Sequence, residues 1–193
     1  MANNLLGVKQ RQKYLKKLGY YTKKVDGKEG SGTKLAYEFF NITFLNKKTN
    51  KYSSDTDTKL REVYKSYAKS KYMTSSDWKF FKDFKLTEFK CTCNGKYCDG
   101  YNGRKNKCYM RLIMTLQYVR NYYDDKVSIS SGVRCPKRNS QVGGVKNSKH
   151  LVFKAADFKV KKEKSKLVVK LLQNFPLVDY TYSINDYYTH ANV

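Results

Sequence analysis

The chain has 193 residues and a net charge of +24, from 40 Lys and Arg against 16 Asp and Glu, and 40% of its residues are hydrophobic. This hydrophobic content supports a folded core and excludes an intrinsically disordered chain, and the length suits one ordinary domain or two small ones. No apolar run reaches the roughly 18 residues that a membrane-spanning helix needs. The segment MANNLLGVKQRQKYL has neither an apolar core region nor a small-residue cleavage site, so we expect no secretory signal peptide.

The excess of basic residues attracts polyanions such as nucleic acid, anionic lipid or anionic cell-wall polymers, and charge alone does not choose among them. The lysines are spread along the chain instead of forming one run. This distribution is equally typical of solvated faces without any particular partner.

Residues 1–69 have the pattern of a small helical unit. Apolar spacing from Leu5 to Leu18 predicts a first helix, and turn signals follow at Asp26-Gly27 and at residues 30–32. A second helix is predicted in KLAYEFFN, with Thr33 as its cap. A third is predicted in SSDTDTKLREVYKSYAKS, with Thr56 or Asp57 as its cap. The sequence therefore predicts three short helices, which a generic helical domain would also have.

The segments LGY, VDGKEG and TKLAYEFFN resemble a peptidoglycan-binding domain of the short three-helix type. Asn41 stands where that family usually has Gln, but the spacing is intact. The resemblance implies that residues 1–69 bind the cell wall. We expect Asp26 and Gly27 to form a turn and not to contact the wall themselves.

Residues 70–85 are predicted to be a linker or a packing helix, with Trp78, Phe81 and Phe84 on one side. Residues 86–193 have the pattern of a second domain. An amphipathic helix in NKCYMRLIMTLQYVRNYYDDK precedes a strand in VSISSGVR, a strand in AADFKV, a helix in KSKLVVKLLQNF and a closing hairpin, YTYSIND with YYTHANV. This order predicts an α+β fold: a small N-terminal three-helix domain followed by an α+β domain with a central antiparallel sheet.

The chain has two histidines, His150 and His190, and Asp157 follows the first of them by seven residues. A catalytic zinc needs three protein ligands and one open position, and two imidazoles with one carboxylate suit it. Spacing alone is weak support, because either histidine taken singly is more often structural.

The segment SISSGVRCPKRNSQVGGVKNSKHLVFKAADFKV, with the later THANV, resembles the zinc D-alanyl-D-alanine carboxypeptidase (VanY-like) family, which includes phage endolysins. The matching residues are Ser131, Gly132, Arg134, Asn139, Val142, Gly143, Gly144, Ser148, His150, Ala155, Ala156, Asp157, His190 and Val193. The likeness covers residues 86–193. It implies one catalytic zinc ion held by His150, Asp157 and His190.

The resemblance also implies roles for neighbouring residues. Zinc activates a water molecule and polarises the scissile carbonyl. Arg134 would contact the carbonyl or carboxylate of the substrate and stabilise the oxyanion, and Ser148 would contact substrate or support a ligand. As alternatives, Arg134 is a surface cation and Ser148 is a turn or cap residue.

The general base is the least well-matched element. Many members carry an acid three residues before the last histidine, where this chain has Tyr187, so Asp186 is the candidate base. Two further departures concern the site. Phe153 stands where Gly is usual, and Asn192 stands where Asp is usual.

Five cysteines occur, and FKCTCNGKYCDGY contains Cys91, Cys93 and Cys98. Related peptidases often begin the domain with a similar segment, which suggests a structural loop over the catalytic domain. A disulfide within the group, or with Cys108 or Cys135, reduced packed thiols, and a second structural zinc all stay open.

Taken together, these features predict a peptidoglycan hydrolase of the endolysin type that cleaves the stem peptide or the cross-bridge as a D-Ala-D-Ala carboxypeptidase or L-Ala-D-Glu endopeptidase. We expect a monomer that binds peptidoglycan, with anionic wall polymers as additional partners and no specific nucleic acid. It would reside in the host cytoplasm until release, or in the virion. The alternative is a weakened or inactive protein that binds the wall or another polyanion.

Overall fold

The structure, a computed structural model, describes residues 4–193. The helices are α1 (Val8–Leu18), α2 (Ser31–Leu45), α3 (Ser54–Lys69), α4 (Met110–Tyr123), α5 (Pro136–Gln141) and α6 (Ser165–Gln173). Short 3-10 helices span Ser75–Phe80, Leu86–Phe89 and Lys149–Val152. The strands are β1 (Val127–Ser131), β2 (Ala155–Val160), β3 (Tyr180–Ser183) and β4 (Tyr188–Asn192). The predicted α+β class, with helices first and an antiparallel sheet after them, is confirmed. Over the described range, the helices lack the length and apolar character needed to cross a membrane.

The loop between α1 and α2 is held by one buried side chain, that of Gln12 on α1. Its Oε1 accepts hydrogen bonds from the backbone N–H groups of Asp26 and Gly27, at 3.0 and 2.8 Å. Its Nε2 donates to the carboxylate of Asp26, the carbonyl of Lys28 and the hydroxyl of Thr33. Gly27 has a positive φ of 79°. Asp26 and Gly27 therefore form a turn, as expected.

The starts of α2 and α3 differ from the predicted caps. Gly30 precedes α2, and the predicted cap Thr33 lies buried inside the helix. Ser53 caps α3, and a reciprocal capping box joins it to Thr56. The predicted caps thus lie three or four positions too far along the chain, and the two threonine hydroxyls bond to partners elsewhere in the chain. Thr56, for example, donates a 2.8 Å hydrogen bond to Asn41.

The N-terminal helices pack directly on the rest of the chain. Phe39 of α2 makes edge contacts with Tyr118 of α4 and with Phe175, at ring distances of 5.7 and 5.4 Å. Asn121 of α4 donates to the carbonyl of Ile42 on α2 at 2.7 Å. Phe81, from the predicted linker, is fully buried in the same hydrophobic cluster. One core is therefore shared by all three predicted segments, and the boundaries after residues 69 and 85 stay predictions.

The sheet has the strand order β1-β2-β4-β3, and each neighbouring pair is antiparallel. Ala156, Phe158 and Val160 of β2 join the core that includes residues of α4 and α6. The alternate residues of β2 face the other side of the sheet. There the register places Asp157 between Ser131 of β1 and His190 of β4. The fold thus gives one face of the sheet to the core and leaves the other for polar residues.

We expect Gln12→Leu to lower the free energy of unfolding by about 2–4 kcal/mol, because leucine removes every hydrogen bond that this buried side chain makes to the loop. Urea unfolding followed by circular dichroism measures the change. The matched control is Gln10→Leu on the same helix, expected to change stability by about 0.5 kcal/mol at most. Equal effects of the two substitutions would contradict the role assigned to Gln12.

Candidate metal centre

The structure brings His150, Asp157 and His190 together, and all three are buried. Nε2 of His150 lies 3.2 Å from Oδ1 of Asp157 and 3.3 Å from Nδ1 of His190. Nδ1 of His190 lies 2.7 Å from the same carboxylate oxygen. One atom of each residue therefore faces a common point, which is the arrangement that a metal ion requires.

The spacing of these atoms suits zinc. Ligand atoms about 2.0 Å from a tetrahedral zinc ion lie roughly 3.3 Å apart. Two of the three distances in the cluster match this value, and the Asp157–His190 distance is shorter, as in a hydrogen bond. Two imidazoles and one carboxylate are also the donor set of many catalytic zinc sites. The residues present fit a zinc ion.

The tautomer of His150 is set by the hydrogen bond of its second ring nitrogen. Nδ1 lies 2.6 Å from the carbonyl oxygen of Gly132, which can only accept a hydrogen bond. Nδ1 therefore carries the proton, and Nε2 presents its lone pair toward Asp157 and His190. The backbone thus selects the tautomer that can bind a metal.

Gly132 occupies its position for a steric reason. A Cβ atom there would lie 2.4 Å from the carbonyl oxygen of Phe89. The same carbonyl accepts a 3.0 Å hydrogen bond from the N–H of Val133. Close backbone contact with the 3-10 helix at Leu86–Phe89 therefore fixes the carbonyl that orients His150.

Arg134 lies beside the cluster. Its Nη2 forms an ion pair with Oδ2 of Asp157, and its Nε donates to the hydroxyl of Ser131 at 2.9 Å. Its backbone N–H donates to the carbonyl of His150 at 3.1 Å. The guanidinium is therefore held in place at the cluster and is not a free surface cation.

The carboxyl group of Asp157 is kept ionised by its partners. Burial raises its pKa, but the neighbouring His150, His190 and Arg134 together lower it well below the usual range. A deprotonated carboxylate is the form that ligates a metal.

Tyr182 and Asn192 complete the surroundings of His190, and sequence reasoning missed Tyr182. The ring of Tyr182, directly opposite on β3, stacks on the imidazole with 4.8 Å between the centroids. Nδ2 of Asn192 lies 3.4 Å from Nε2 of His190. The alternation in YTYS could have identified Tyr182, but only together with the β3–β4 register.

The cluster opens into a cleft of about 440 Å³. Exposed apolar side chains form two of its walls. They are Tyr180, Tyr182 and Ile184 on the β3 side and Val142 and Val145 on the loop after α5, with Val145 72% exposed. Apolar walls beside a polar floor are typical of a binding site for a small or extended ligand.

Ser148 and Asp186 lie in different places. Ser148 lines the cleft, and its hydroxyl accepts the N–H of His150 at 3.4 Å as the cap of the 3-10 helix. Asp186 is exposed in the turn between β3 and β4, where it lines a separate hollow with Lys164 and Lys166. The structure does not bring Asp186 to the cluster, so the predicted base role of this residue gains no support from its position.

The backbone conformation at Phe153 is one that favours glycine, the residue expected at this position from the family resemblance. Phe153 ends the 3-10 helix that carries His150 with a φ of 58°, in the left-handed region that glycine adopts without cost. Its side chain is fully buried and contacts the ring of Phe89 at 6.0 Å. The left-handed backbone conformation of Phe153 is unfavourable for a residue with a side chain, and burial of the aromatic ring offsets that cost.

We expect Phe153→Gly to be more stable than Phe153→Ala by about 1 kcal/mol, because both lose the ring but only alanine keeps the left-handed penalty. Both would be less stable than the unmodified protein by about 3–5 kcal/mol. Urea unfolding of the pair measures the difference.

The matched control for this pair is Phe158, which is equally buried but lies in a regular strand, β2. There the order should reverse, with Phe158→Ala more stable than Phe158→Gly. The same order at both positions would rule out the proposed backbone cost at Phe153.

A second group of side chains with metal-ligand chemistry lies near the cluster. The sulfur atoms of Cys91, Cys93, Cys98 and Cys135 lie within 4.8 Å of one another. Hydrogen bonds from the backbone, chiefly at Tyr97, lower the pKa of Cys93 to about 6. Burial raises the pKa of Cys91 and Cys98. All five cysteines, including the separately buried Cys108, are free thiols in the structure.

Comparison with protein families gives one match. The model of a family described as Peptidase M15 matches residues 82–192. This range includes the histidines, Asp157, Arg134 and all five cysteines. Among curated proteins, none matches the chain significantly.

Proposed function

Because the chain belongs to the peptidase M15 family and is a metallopeptidase, we propose that it is a zinc-dependent peptidoglycan hydrolase of the endolysin type. It would cleave peptide bonds of the stem peptide or the cross-bridge. The observation that carries this proposal is the convergence of His150, Asp157 and His190 beside Arg134 at the floor of an open cleft.

Three side-chain atoms would hold the zinc ion: Nε2 of His150, Oδ1 of Asp157 and Nδ1 of His190. A zinc ion supplies Lewis acidity that activates water and polarises a carbonyl at neutral pH. The hydrogen bond from His150 to Gly132 keeps one ligand in the required tautomer. The stacked ring of Tyr182 restricts the orientation of the other imidazole.

Arg134 would bind the substrate beside the metal. Its guanidinium has five N–H donors, and the contacts with Ser131 and Asp157 use only part of them. The remaining donors can pair with the carbonyl or the carboxylate of the substrate. Because the group is already fixed, little conformational entropy is lost when the charge of the transition state develops.

The walls of the cleft suit a peptide with small apolar side chains, such as the alanine residues of a stem peptide. Exposed Tyr180 and Val145, from different segments of the chain, both line the cleft. A peptide lying between them would place its backbone against Arg134 and the ligands. Which bond is cut would be read from mass spectrometry of the released wall fragments.

We also propose that the N-terminal helices hold the enzyme on the cell wall. The support is the resemblance of residues 1–69 to peptidoglycan-binding domains, together with a net charge of +24 that favours anionic wall polymers. Because these helices share a core with the sheet-bearing part, wall binding would keep the cleft close to its substrate. The site of action would be the wall after release from the host cytoplasm, or from a virion.

We expect His150→Ala to abolish the clearing of Gram-positive cell walls and to remove one equivalent of zinc, because one of three ligands is lost. Elemental analysis and turbidity assays measure the two effects. A zinc chelator should abolish clearing by the unmodified protein, and added zinc should restore it.

Lys161→Ala is the control for this variant, since Lys161 is exposed at the end of β2 and away from the cleft. It should keep both zinc and activity. Clearing that survives both the chelator and His150→Ala would contradict the proposed function. Zinc binding without any hydrolysis would instead indicate a weakened protein that only binds the wall.

We expect Arg134→Lys to keep its zinc but to lower kcat/KM by about 10²–10³-fold, because lysine keeps the charge and loses the planar fork. Activity on a purified stem peptide measures the loss.

Arg138→Lys is the matched control. Arg138 follows on α5, where its guanidinium contacts Thr92 and does not line the cleft. Equal activities of the two variants would show that Arg134 has no direct part in the reaction.

A further inference from the structure

The four cysteines that lie near the catalytic cluster have the geometry of a closed metal site. The sulfur atoms of Cys91 and Cys135 are 3.9 Å apart, and those of Cys93 and Cys98 are 3.5 Å apart. Four sulfurs about 2.3 Å from one tetrahedral zinc ion would lie about 3.8 Å apart. We propose that these four residues bind a second zinc ion, which is structural and independent of the catalytic one.

The loop that contains three of the cysteines has little regular structure to stabilise it. Residues 90–109 form a long loop without a helix or strand, apart from one isolated bridge at Tyr109. Cys91, Cys93 and Cys135 are buried in a small cluster of their own, separate from the main hydrophobic core. A loop of this length needs stabilisation that a few apolar contacts do not supply, and a metal with four ligands supplies it.

Backbone groups around the sulfurs suit thiolate ligands. The N–H groups of Cys135 and Arg138 point at the sulfurs of Cys91 and Cys135, each at 3.4 Å. The loop turns tightly between Cys93 and Cys98, with a positive φ at Asn94. N–H groups that point at sulfur stabilise the negative charge of a metal-bound thiolate.

The position of Cys135 gives this ion a second role. Cys135 directly follows Arg134, whose side chain is paired with Asp157 and whose N–H is bonded to His150. A zinc ion on Cys135 would fix one end of that short segment. The cysteine site thus acts as a positioning element for Arg134, with no contact of its own with the substrate.

Zinc counting separates the two sites. We expect the purified full-length protein, prepared under reducing conditions, to contain two zinc ions per chain by elemental analysis. The double variant Cys93→Ser/Cys98→Ser should keep one ion, and so should His150→Ala/His190→Ala. Cys108→Ala is the matched cysteine control and should keep two, because Cys108 is buried away from the cluster.

Cobalt gives a readout that does not depend on activity. Cobalt-substituted protein should show the intense thiolate-to-metal charge-transfer absorption of a tetrathiolate site. The bands should persist in His150→Ala/His190→Ala and disappear in Cys93→Ser/Cys98→Ser. Absence of these bands, or disulfides joining the four cysteines by mass spectrometry of freshly purified protein, would overturn the second site.

The positioning role has its own test. Cys93→Ser/Cys98→Ser should lower kcat on the stem peptide while the catalytic zinc is kept. In an Arg134→Lys background the same change should lower kcat much less, because both act through one guanidinium. Fully additive losses would overturn the positioning role. If the protein binds a single zinc that only the histidine substitutions remove, the second site is overturned and the proposed function stands. If only the cysteine substitutions remove that zinc, the cysteine site stands and the proposed function is overturned.

Discussion

The buried carboxylate of Asp157 is the group on which the arrangement of the site depends. An ionised carboxylate taken out of water costs several kcal/mol unless it is paired and hydrogen-bonded. His150, His190 and Arg134 provide those partners, and each comes from a different part of the fold: a 3-10 helix, β4 and the segment after β1. The pairing of β2 with β4 places Asp157 opposite His190, so the contacts that hold the sheet in register also bring two residues of the site together.

The sequence allowed much of this site to be predicted because two of the three candidate ligands lie in short regular strands. AADFKV and YYTHANV alternate as strands, and an antiparallel pairing of the two places Asp157 opposite His190. The αβ order of residues 86–193 follows from the same periodicities. Both histidines of the chain fall on positions that the family resemblance marks as ligands, which made the choice among candidate residues simple.

The features that could not be predicted from the sequence depend on contacts between distant segments of the chain. The cap of α3 is Ser53 because Thr56 is engaged by Asn41, which is fifteen positions earlier in the chain. Tyr182 reaches His190 only through the β3–β4 register. Asp186 lies exposed in the hairpin turn, where Asn185 accepts the N–H groups of Tyr187 and Tyr188. The same limit applies to Cys135, which no spacing rule groups with the cysteines that precede it by more than thirty residues.

The segment from Gly132 to Cys135 contacts both groups of candidate metal ligands, although those residues are far apart in the sequence. The carbonyl of Gly132 orients His150, Val133 pairs with the backbone of Phe89, Arg134 binds Asp157, and Cys135 faces the other cysteines. Successive residues of an extended segment point in opposite directions, so one short stretch can serve groups on both of its sides. Because its ends are held by the histidine cluster and the cysteine cluster, displacement of either end must move Arg134. The precision of the arginine therefore depends on both clusters at once, and the cysteine loop, although outside the cleft, belongs to the machinery that sets the geometry of the cleft.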